Sequence, residues 1–150
     1  MQYRRFVESR FLIDEPKLGR LVPFKFNVVQ SKFYDELVRD YDIENKGLNA
    51  CIRSIILKAR REGFSSLILA LFAADDILNE NPTETLILSY RDDGTKILRK
   101  RYRNFVLSWF AFNTGQDMAK IQANPALLDR LATHCFTKDS NGEIEIAHNR

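Results

Sequence analysis

The residues of this chain best placed to do chemistry lie at positions 58–66, Lys-Ala-Arg-Arg-Glu-Gly-Phe-Ser-Ser. Three cations, one glycine and two hydroxyls within nine residues can grip an anion, above all a phosphate. An apolar, branched run at 52–57 precedes them and suits a buried strand. A Leu- and Ala-rich run at 67–71 follows and suits a helix. Strand, basic turn and helix is the layout of a phosphate-binding loop. Gly63 permits a backbone conformation that a Cβ resists. The free N–H groups of residues 63–66 would open the helix and face the anion. Ser65 falls where such loops place the hydroxyl that meets Mg²⁺. The strict pattern G-x-x-x-x-G-K-[ST] is not met, because Lys58 stands at the first glycine and Phe64 at the lysine. Lys58 could neutralise β/γ-phosphates from the strand end, with Arg60 and Arg61 assisting. The plainer reading is a strand–helix turn carrying a solvated basic cluster.

A second candidate is Gln30. Asn27 and Gln30 are spaced as a capping box at the start of a helix, which explains the glutamine without a ligand. Its amide could equally read an adenine edge, donating to a ring nitrogen and accepting from the amino group.

These segments together resemble the phage terminase large subunit, the ATP-driven motor of DNA packaging. Residues 58–65 resemble the family's deviant Walker A loop, in which the lysine moves to the loop's start and an aromatic residue precedes the serine. Residues 21–30, Leu-Val-Pro-Phe-Lys-Phe-Asn-Val-Val-Gln, resemble its adenine-side motif. Residues 66–72 resemble its post-loop helix, and residues 85–92 its next strand. The resemblance covers most of residues 10–110.

It implies an α/β fold: an incomplete P-loop NTPase (RecA/ASCE-like) sheet with flanking helices, truncated before Walker B. Residues 1–45 would hold N-terminal helices and the adenine-side motif, and residues 50–150 a partial nucleotide-binding core. ATP and Mg²⁺ would bind at Gln30, Lys58, Gly63, Phe64, Ser65 and Ser66, with Ser65 on the metal and Arg60 or Arg61 sensing the γ-phosphate. The implied partners are double-stranded DNA, the portal protein, a small terminase subunit and further copies of the chain. The implied location is the host cytoplasm, at the procapsid portal. No acid pair at a strand end is apparent, and hydrolysis needs one. The chain alone is therefore expected to turn over little ATP. A helicase-like ATPase is a rival reading, which Phe64 disfavours. A non-catalytic remnant or interaction module is another.

The totals are compatible with this picture. One hundred and fifty residues make one domain, and 45% apolar residues suffice for a core. A net charge of +3 neither requires nor excludes nucleic acid. Two cysteines, Cys51 and Cys135, are too few for a disulfide framework. No run approaches the roughly 20 apolar residues of a membrane span.

Further elements follow from periodicity. A helix is expected within residues 3–13, ended by Pro16, and irregular chain at 17–29. Phe33, Tyr34, Leu37, Val38 and Tyr41 form one stripe of a helix starting near Asn27. The helix from Ser65 to about Leu78 is apolar on nearly all sides and should be buried. Asp75 and Asp76 lie on it, which disqualifies them as Walker B acids. After a strand at 85–89 and a turn at 90–95 comes a long helix. Its stripe Leu98, Tyr102, Phe105, Trp109 opposes a basic set Lys96, Arg99, Lys100 and Arg103. That set either meets DNA phosphates or an adjacent subunit, or only faces water. Residues 113–124 read as a polar connection, 125–132 as a short helix, 139–142 as a turn and 143–147 as an edge strand. His134 and Cys135 lack a second ligand pair for a metal.

Overall fold

In a computed structural model, residues 3–15, 18–44, 63–78, 92–124, 126, 136–138 and 144–146 are described. The elements run α1 (Tyr3–Arg10), β1 (Leu12–Glu15), β2 (Arg20–Pro23), α2 (Val28–Glu44), α3 (Phe64–Leu78), α4 (Asp92–Thr114), α5 (Met118–Ala123), β3 (Phe136–Lys138) and β4 (Ile144–Ile146). The expected strands at 52–57 and 85–89 lie outside the described residues. So do most of the expected helix 125–132, the turn 139–142, Cys51, His134 and Cys135.

The core is a helical stack. α3 packs on α4, α1 crosses both, and α5 closes against α4. Leu69, Ala70, Ala73 and Ala74 of α3 meet Tyr102, Phe105, Val106 and Leu107 of α4 in one buried cluster. The small alanines let the helix axes approach while the aromatic and branched residues fill the seam. Phe11 stacks on Phe105 with ring centroids 5.2 Å apart, and Phe24 tilts against the same ring at 5.6 Å. The stripe expected on α4 is thus the one that packs. Tyr102 and Phe105 are buried, and Leu98 and Trp109 are half-buried against the core. On the opposite side Lys96 and Lys100 are exposed, whereas Arg99 and Arg103 are half-buried.

Several boundaries differ from the sequence expectation. The helix at the N-terminus stops at Arg10, well before Pro16, because residues 12–15 pair with residues 20–23 in an antiparallel hairpin. The 17–29 segment is therefore not simply irregular. Gly19, at φ +60°, lets the chain reverse, and its N–H donates to the Glu15 carbonyl (2.9 Å). α4 starts at Asp92, inside the expected turn. Acidic residue types suit a helix's positive end, and one glycine costs only about 1 kcal/mol. Residues 113–124 include the last two residues of α4 and the whole of α5. Asp117 caps α5 by accepting from the Ala119 N–H (2.8 Å). α3 is not enclosed on all sides, since Phe72 and Leu78 stay 42% and 44% exposed. β3 and β4 pair antiparallel around the segment expected to turn. Among the described residues no helix is long and apolar enough to cross a membrane.

Candidate phosphate-facing helix start

The described part of the candidate loop begins at Gly63. Its φ of +73° is the left-handed conformation that favours glycine. Its carbonyl accepts the first bond of α3, from the Leu67 N–H (3.0 Å). The N–H groups of Phe64, Ser65 and Ser66 are then those an α-helix leaves without an intrahelical acceptor.

Gln30 meets this junction from α2. The capping box forms reciprocally. The Gln30 N–H donates to Asn27 Oδ1 (2.8 Å), and the Asn27 N–H donates to Gln30 Oε1 (2.9 Å). The other end of the amide, Nε2, donates to the Gly63 carbonyl (2.9 Å). Gln30 is only 3% exposed. Two sequence motifs separated by 33 residues thus join through one side chain.

The hydroxyls of the first helical turn differ in setting. Ser65 is half-buried. Ser66 is buried, and its Oγ accepts from Arg101 Nη1 at 3.4 Å. Phe64 is also buried, its ring edge-to-face with Phe33 of α2 at 5.2 Å. The aromatic residue in the lysine slot therefore packs toward α2. Lys58, Arg60 and Arg61 lie outside the described residues.

Arg101 was not among the sequence candidates. The signal was available. Position 101 lies three residues after Leu98 and four before Phe105, so it borders the apolar stripe and leans toward α3. Its guanidinium adds positive charge near the positive end of a helix.

Asp75 and Asp76 are held by phenols. Tyr3 donates to Asp75 Oδ1 (2.6 Å), and Tyr102 donates to Asp76 Oδ2. Both carboxylates fasten α3 to its neighbours. Among the described residues no group of three His, Cys, Asp or Glu side chains could hold a metal ion.

No match emerges when the chain is compared with protein-family models, with curated proteins or with solved structures.

Proposed function

We propose that this chain is the N-terminal part of a viral terminase large-subunit ATPase, which binds ATP·Mg²⁺ through residues 58–66 and powers the packaging of double-stranded DNA. The observation that carries the reading is the Gln30–Gly63 bond, 2.9 Å long. It joins the adenine-side segment to the glycine of the loop, at the start of an apolar helix.

The described residues fit the phosphate end of the ligand. Gly63 supplies the turn, the α3 start supplies peptide N–H donors, and Arg101 supplies charge. Lys58 would neutralise β/γ-phosphates, Ser65 would bind Mg²⁺, Ser66 would add a phosphate contact, and Arg60 or Arg61 would sense the γ-phosphate. The nucleotide would supply the hydrolysable bond, while the protein binds and orients it. In the full motor the partners are DNA, portal, small subunit and further copies, at the procapsid portal of an infected cell.

The adenine end fits less directly. Gln30 must release its bonds to Asn27 and Gly63 before its amide can read a purine. This engagement favours a second reading, a non-catalytic module in which Gln30 is purely a structural clasp.

Equilibrium binding of a fluorescent ATP analogue tests the choice. The expected result is Mg²⁺-dependent binding that Lys58→Ala weakens by at least about tenfold, as for loss of one charged contact to phosphate. Absence of binding by the unaltered chain supports the non-catalytic module.

A further inference from the structure

A separate concavity of about 430 Å³ lies on α1 and the chain leaving β2, walled by Arg4, Arg5, Glu8, Ser9, Lys25 and Tyr34. Three cations face one acid there. Glu8 is already committed: its Oε1 accepts from the Phe26 N–H (3.1 Å) and lies 3.5 Å from Arg4 Nε. Lys25 Nζ donates to the Glu8 carbonyl (2.8 Å), which anchors the ammonium at the rim without neutralising it. The Arg4 guanidinium is steadied over the Phe26 ring, 5.4 Å from its centroid. Arg5 is exposed.

The hydroxyls sort by role. Tyr34 accepts from the Arg4 N–H (3.3 Å), and among the described residues no acceptor takes its own O–H proton. Burial, the largest influence, pushes the Tyr34 phenol above its ordinary range and keeps it protonated. Ser9 donates to the Phe6 carbonyl (3.0 Å) and adds no donor.

We propose that this concavity holds a phosphate of a nucleic-acid backbone, contacted by Arg4, Arg5, Lys25 and the Tyr34 hydroxyl. Arginine, lysine and phenol donors are the set that proteins use on phosphodiesters. The rim offers none of the exposed apolar anchors that centre a protein–protein contact, since Tyr34 is only 5% exposed. None of the residues that wall it belongs to the candidate nucleotide loop. The choice of duplex DNA as the polymer rests on the packaging role proposed above, whereas the charge argument does not.

The test is fluorescence anisotropy of a short labelled DNA duplex, without nucleotide, from about 50 to 200 mM salt. A failure here is thereby separate from a failure of ATP binding. Arg5→Glu/Lys25→Glu alters two exposed positions, and its thermal melt serves as the folding control; Arg5→Gln/Lys25→Gln replaces it if that variant misfolds. The expected result is affinity lower by about tenfold or more, with the slope of log K against log salt reduced by about 2 for two lost phosphate contacts. Unchanged affinity and slope overturn the proposal. So does loss of all duplex binding on Lys96→Glu/Lys100→Glu, which would assign the contact to α4. Inorganic phosphate binding that the first variant removes, with duplex affinity unmoved, also overturns it by making the site one for free phosphate.

Discussion

Gln30 and Gly63 make a mutual dependence that can be measured. The glutamine satisfies the Asn27 N–H and the Gly63 carbonyl from a nearly dry position. Gln30→Ala removes both bonds, the first of which is half the capping box, and should cost about 2 kcal/mol. A Cβ at position 63 would stand 2.7 Å from Gln30 Nε2, on a backbone at φ +73°. Gly63→Ala should therefore cost about 1–2 kcal/mol for the left-handed backbone, plus displacement of the amide. Because one penalty of Gly63→Ala is the loss of the Gln30 bond, the double variant should fall short of the sum by at least about 0.5 kcal/mol. Urea unfolding of the four proteins closes the cycle, and strict additivity would mean that the Gly63 substitution leaves the Gln30 bond undisturbed. The capping box itself was legible, since Asn27 and Gln30 carry both side-chain partners at the required spacing. The bond to Gly63 was not, because no local pattern encodes a contact across 33 residues.

The elements that periodicity found are those with long, one-sided apolar stripes. α2 and α4 each carry such a stripe, α3 is found instead as a long run apolar on nearly all sides, and all three form within a few residues of their expected bounds. The hairpin β1–β2 escaped because its strands have four residues each. Strands that short carry too few alternations to separate from a loop, and Gly19 reads as a breaker when it marks the turn. α5 escaped for a similar reason, having six residues and depending on one cap. The α3–α4 seam is fastened by a polar bond as well as by packing. Tyr102 is 2% exposed and donates to Asp76 across the seam. Tyr102→Phe keeps the ring and deletes the donor, leaving a partly buried carboxylate short of one partner. A loss of about 1–3 kcal/mol is expected by urea or thermal unfolding, within the range for hydrogen bonds to charged groups. A loss below about 0.5 kcal/mol would show that water replaces the phenol without cost.

At the scale of the molecule, the question is whether the chain can hydrolyse what it is proposed to bind. Hydrolysis in loops of this kind needs a carboxylate on Mg²⁺ and a group that orients the attacking water. The adjacent acid pair on the helix that follows the candidate loop is Asp75 and Asp76. Both lie on α3, more than two turns from Phe64, and both accept from tyrosines on neighbouring helices. Releasing either would unfasten α3 from α1 or α4, so neither suits a metal that must come and go with each turnover. The strands described are two antiparallel pairs, and the parallel sheet that would carry such an acid at its edge is an expectation of the resemblance. Binding and turnover should therefore separate in this chain. Phosphate release from ATP·Mg²⁺ should equal that of the Lys58→Ala variant, even where the unaltered chain binds a fluorescent analogue and the variant does not. Steady release above that control would require a catalytic carboxylate elsewhere in these residues. Asp75→Asn and Asp76→Asn would then show whether the helix acids supply it, since either substitution should abolish the excess if that acid does.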